Sequence, residues 1–178
     1  MNPILWFAVK VVTGSKPELH TRRLRSGEKM PSQFNHKAYL ACDDKAKSAL
    51  RKFLDRMGIF TLIFEDYSAD IKSLEMVGGK YVEVLHEVEI KSTYIDEFKW
   101  DTVHIPARKK KLLKNCYTTA GHRIIFWVLN KDCTKGMMID GKYMKDAYIE
   151  NIPNTRNPGG EDFYDIPIEL CREVKLCT

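Results

Sequence analysis

A chain of 178 residues that is 44% hydrophobic and 30% charged has the composition of a soluble globular protein, with room for one domain and a sizeable core. Its net charge of +5 and sequence pI near 8.9 favour a polyanionic partner. The cysteines Cys42, Cys116, Cys133, Cys171 and Cys177 are odd in number and contain no C-x-x-C pair, so they suggest neither a disulfide framework nor a zinc knuckle; they read as reduced thiols of a cytoplasmic protein.

The amino terminus, M-N-P-I-L-W-F-A-V-K-V-V, is apolar but lacks a basic leader and a small-residue cleavage site, and Lys10 interrupts it. It reads as a first strand over Ile4 to Val12. No other segment approaches the roughly 20 apolar residues of a membrane helix, so no membrane partner is expected. Residues Thr13 to Ser32 combine Gly14, Pro17, Gly27 and Pro31 with His20, Arg22, Arg23, Arg25 and Lys29, which is loop or hairpin composition. Two readings stand side by side: a basic arm gripping phosphates through residues such as Arg22 and Arg23, or a solvated surface loop.

From Ala41 to Met57 the apolar residues Ala46, Ala49, Leu50, Phe53, Leu54 and Met57 recur at three- and four-residue steps. This predicts an amphipathic helix that packs on a sheet, with Asp43 and Asp44 suiting its positive end and Gly58 stopping it. Strands are expected over Ile59 to Phe64, Asp70 to Val77 and Tyr81 to Ser92. In the last of these Val82, Val84, Val88 and Ile90 fall on one face, whereas Glu83, Glu87, Glu89 and Lys91 fall on the other. His86 shares the valine face and reads as a core residue.

Gly78-Gly79 is a two-residue hairpin signal, and it fixes a register. If those glycines form the turn, Val77 pairs with Lys80 and Asp70 comes opposite Glu87. Directly opposed residues share a face, so Asp70, Glu87, Glu89 and Lys91 converge. A slip of one residue would send Asp70 to the other side.

Ser92 to Ile105 reads as a connection containing Tyr94, Asp96, Glu97, Trp100, Asp101 and His104. Pro106 to Asn115 follows as a short basic helix, with the proline at its first position and Leu112 and Leu113 as inward anchors. Its cations Arg108, Lys109, Lys110, Lys111 and Lys114 favour a polyanion-facing surface over a plain solvated one. Arg123 to Asn130 is the most hydrophobic run and predicts a buried central strand. Asp140-Gly141 suggests a hairpin-type turn, Asn151 to Gly160 a loop, and Ile166 to Leu176 a last short element.

The order of helix, strand, strand with Asp70, strand with Glu89-Ile90-Lys91, basic helix and buried strand resembles the PD-(D/E)xK nuclease superfamily over roughly residues 41 to 130, with Ala69 where the family's name has proline. The resemblance implies an α/β fold: a central mixed β-sheet flanked by helices, with a restriction-endonuclease-like αβββαβ core. The single domain 1–178 would then carry additions at 1–40 and 131–178. It further implies a deoxyribonuclease in which Asp70 and Glu89 hold Mg²⁺ or Mn²⁺, Ile90 lends its backbone oxygen and Lys91 is the catalytic amine. Glu87 would hold a second ion or orient Lys91, and Asp43 or Asp44 could add an acid from the first helix. DNA is favoured over RNA by the family's habits, which also include homodimers.

Elementary chemistry agrees with that assignment. Phosphodiester hydrolysis needs a hard cation on oxygen ligands to offset phosphoryl charge and acidify a water, and a nearby lysine adds positive charge. The plainer reading of Glu87, Glu89 and Lys91 is a polar strand face with a surface ion pair of little weight. Outside hydrolysis, a non-catalytic nucleic-acid-binding module and an interaction protein without a nucleic-acid role remain the alternatives. His20, His36, His104 and His122 show no H-x-x-x-H spacing, and neither a G-x-x-x-x-G-K-[ST] loop nor a G-x-G-x-x-G fingerprint is present.

Overall fold

The apolar stripe of the first helix sets the position of everything above it. In the computed structural model, α1 spans His36–Arg56, five residues longer at its start than the stripe alone predicts. Asp43 and Asp44 therefore lie about two turns in and not at the positive end, and the first turn holds no acid. Ala46, Leu50 and Leu54 are buried on one face. Gly58 ends the helix at φ 71°, with its N–H bonded to Asp55 O and that of Ile59 to Leu54 O, the paired bonds of a Schellman motif.

The structure describes residues 36–62, 69–114, 116, 122–153 and 159–176, all within one compact unit, Ser32–Thr178. The expected strand at 4–12 and the arm carrying Arg22 and Arg23 lie outside the described residues. Among the described residues nine strands follow α1: β1 (Phe60–Leu62), β2 (Ile71–Val77), β3 (Lys80–Ile90), β4 (Thr102–Pro106), β5 (Arg123–Leu129), β6 (Lys135–Asp140), β7 (Tyr148–Ile152), β8 (Glu161–Pro167) and β9 (Arg172–Lys175). Six make a mixed sheet in the order β1-β2-β3-β5-β6-β9, in which β3 and β5 run parallel and the other pairs antiparallel. The other three form an antiparallel sheet, β4-β8-β7.

Both faces of the six-stranded sheet are covered. On one, α1 packs against Ile71, Val84, Val88, Ile125, Trp127 and Leu129. On the other, Leu85, Ile124, Phe126, Val128 and Ile139 meet Val103, Ile105, Tyr164 and Ile166 of the small sheet. The fold is thus mixed α/β, but the expected flank of helices is corrected: among the described residues one α-helix covers one face and a second sheet the other. The small sheet arises where a connection was expected, because Val103 and Ile105 alternate inward along β4.

Three further expectations change. Pro106 ends β4, and the basic segment is a 3-10 turn at Ala107–Leu113, a length too short to sustain an α-helix by its own hydrogen bonds. Asp140-Gly141 is not a hairpin; Asp140 Oδ1 accepts the Lys142 N–H and starts a 3-10 turn at Gly141–Lys145. Residues 166–176 hold the end of β8, a 3-10 turn at Ile168–Leu170 and β9, while Asn151 and Ile152 belong to β7. The buried central strand is β5, with Ile124 to Leu129 all buried.

Candidate active site

The glycine turn forms with the expected register. Gly78 and Gly79 have φ of 58° and 79°, as a type I′ hairpin requires, Val77 pairs with Lys80 and Ile71 with His86. Asp70 lies one residue before Ile71, where the paired register of β2 begins. Its backbone N–H donates to His86 O at 3.1 Å, and its Oδ2 accepts the Val88 N–H at 2.9 Å. Asp70, Glu87, Glu89 and Ile90 line one cleft of about 310 Å³, together with Asp43, Arg108 and Lys109.

The acids draw ammonium groups inward. Lys47 Nζ lies 2.7 Å from Asp43 Oδ2 and 3.1 Å from Asp70 Oδ1, so it bridges helix and sheet. Burial opposes its charge, yet the two carboxylates prevail and its pKa is raised. Lys109 reaches from the 3-10 turn to pair with Glu87, which is 6% exposed. Here burial wins, and the Lys109 pKa is lowered despite Asp70 and Asp43. Two ammonium groups are thus held among the carboxylates of Asp43, Asp70 and Glu87, and among the described residues no three of the cleft acids bring ligand atoms within 4.8 Å of one another.

Solvent reaches Glu89 along the open side of the cleft, although protein crowds its carboxyl from the other directions. That crowding dominates: burial raises the Glu89 pKa, with Arg108 and Lys91 opposing and Asp70 adding to the rise. Lys91 lies beyond the cleft lining. Its Nζ stands over the Trp100 ring, 4.1 Å from the centroid, and 5.5 Å from that of Phe98, a cation–π arrangement. Burial lowers its pKa, with Glu89 in partial opposition.

The basic segment divides in two. Lys109 points into the cleft, and Arg108 pairs with Glu161 of β8 at its rim. Lys110, Lys111 and Lys114 are exposed and border a second groove floored by Leu113, Met144, Ala147 and Tyr164. On α1 the acid in the cleft is Asp43, whereas Asp44 is exposed and away from it. Helix phase carried that signal, since Asp43 precedes the buried Ala46 and Leu50 by three and seven residues.

A different trio was invisible in the sequence. His104 of β4, Glu150 of β7 and Asp165 of β8 present ligand atoms all within 4.8 Å of one another on the small sheet. No protein-family model matches the chain, and comparison with curated proteins gives no significant match.

Proposed function

We propose that the chain is a divalent-metal-dependent nuclease with a restriction-endonuclease-like core, hydrolysing phosphodiester bonds in DNA. The reading rests on one observation: the Gly78-Gly79 register gathers Asp70, Glu87 and Glu89 in a cleft edged by Arg108 and Lys109. Asp70 and Glu89 are the metal ligands, joined by the Ile90 carbonyl, and Glu87 and Asp43 add negative charge. A bound Mg²⁺ or Mn²⁺ supplies Lewis acidity and a more acidic water. The Val88 N–H holds Asp70 in place through Oδ2. Lys91, with its lowered pKa, is suited to move a proton once its amine leaves the Trp100 ring for the cleft. Arg108, Lys110, Lys111 and Lys114 contact flanking phosphates.

A second reading, a non-catalytic nucleic-acid-binding module, draws support from the Lys91 amine, which is occupied by aromatic rings, and from the Lys109–Glu87 pair. The two separate in one assay. Purified full chain with Mn²⁺ or Mg²⁺ is expected to cleave DNA, cleavage to stop with EDTA, and Glu89→Ala and Lys91→Ala each to lower the rate by at least about 100-fold with unchanged circular dichroism. Failure to cut DNA or RNA with either ion would overturn the nuclease reading. Salt-sensitive binding indifferent to EDTA and to Lys91→Ala would favour the module.

A further inference from the structure

We propose that His104, Asp165 and Glu150 form a second divalent-metal site, of the zinc type, on the outer face of the small sheet and separate from the acidic cleft. The alternation of the strands builds it. Along β4, Val103 and Ile105 are buried toward the core and His104 points outward. Along β8, Tyr164 and Ile166 are buried and Asp165 points outward. His104 pairs directly with Asp165, and Tyr148 of β7 pairs with Asp165 from the other side. Glu150, two residues beyond Tyr148, is on that same outer face and diagonal to Asp165. One ligand thus comes from each of the three strands.

His104 Nε2 lies 3.2 Å from Asp165 Oδ1. That oxygen is buried and, among the described residues, accepts no hydrogen bond, so the contact is a close approach without hydrogen-bond geometry. Thr102 Oγ1 is another polar neighbour of Nε2, at 3.4 Å, and a nitrogen and an oxygen this close can serve as neighbouring ligands of one ion. Zinc bonds of roughly 2.0–2.1 Å put adjacent ligands of a tetrahedron about 3.3–3.4 Å apart, close to the spacing here. Glu150 is exposed, with a carboxylate oxygen within 4.8 Å of both. The imidazole sets this site apart from the cleft, because a nitrogen donor with two carboxylates favours Zn²⁺ over Mg²⁺. Phe163 flanks the imidazole, with ring centroids 5.9 Å apart, and restricts its orientation. Three protein ligands leave the fourth position to water, and the ion clamps β4, β8 and β7 together.

The test uses the full chain with Asp70→Asn and Glu89→Gln, so that the cleft acids do not compete and the outcome is independent of the nuclease reading. After chelation and dialysis, Zn²⁺ is titrated calorimetrically and Co²⁺ by visible absorbance. One equivalent is expected to bind, and Zn²⁺ to raise the Tm, as a ligand of the native state does. His104→Gln and Asp165→Asn, both at partly exposed positions, should each weaken binding by roughly 10–100-fold or more and remove the Tm shift. Absence of saturable binding would overturn the proposal. So would binding that His104→Gln leaves intact, or binding present in the unsubstituted chain and lost on changing Asp70 and Glu89.

Discussion

Glu89 near the end of β3 and Lys91 just past it stand two residues apart, and desolvation pushes both toward their neutral forms, the acid upward in pKa and the amine downward. A metal ion needs Glu89 ionised, so Mn²⁺ affinity is expected to weaken as pH falls through its raised pKa, and Glu89→Gln to flatten that dependence in a calorimetric titration. His86 offers a second pH effect. It is fully buried, accepts the Trp127 indole N–H at Nδ1 and lies 2.8 Å from Ser73 Oγ at Nε2. Burial and then the charge of Arg123 lower its pKa to about 4, and Glu75 at 3.6 Å does not reverse this. The unfolded chain takes up that proton below about 6.5 while the folded one resists until about 4. This stabilisation is complete above pH 6.5 and falls by roughly 3 kcal/mol as pH drops to 4. Urea midpoints at several pH values should show the decline, and His86→Leu should lack that component. The role of His86 was legible from its place among valines, and the Val77–Lys80 register of the hairpin from two glycines. The choice between Asp43 and Asp44 turned on helix phase, and the aromatic seat of Lys91 on side chains from a segment with no visible period.

The β2–β3 hairpin is the element on which the cleft depends. A side chain at Gly79, held at φ 79°, is strained whatever the space around it, so Gly79→Val is expected to destabilise the protein by about 1–2 kcal/mol in urea unfolding. It should also disturb the Ile71–His86 pairing, visible as loss of the corresponding cross-strand proton contacts by NMR. The hairpin and β5 were readable because long runs of alternating or continuous apolar residues leave no other assignment. β4 and β7 were not. In Thr102–Pro106 only Val103 and Ile105 carry the pattern, and the partners that make it a strand, such as Tyr164 opposite Ile105, lie far along the chain. β7 has an outward face and no fully buried residue, so its sequence resembles a loop until β8 pairs with it. The trio of His104, Glu150 and Asp165 disappears from the sequence for the same reason.

Two apolar cores share the six-stranded sheet, one beneath α1 and one beneath the small sheet. Leu50 and Ile166, each wholly buried, are the matched probes of these layers. Leu50→Ala and Ile166→Ala are each expected to lower stability by about 2–5 kcal/mol. Because the cores meet at the same strands, far-UV and tryptophan signals should still move together in one urea transition in both variants; two separated transitions would mean that the layers unfold independently. The parallel pairing of β3 with β5 also bears on how the chain reaches this state. A tight turn closes β2 on β3 within a local stretch, which favours formation on the microsecond timescale typical of hairpins. The β3–β5 ladder instead joins Val84 to Arg123 and Ile90 to Leu129, and must close a long loop first. The hairpin acids Asp70, Glu87 and Glu89 are therefore expected to come together early, repelling one another before the Lys47 and Lys109 ammonium groups arrive. Refolding should quicken when salt or a divalent cation screens that repulsion.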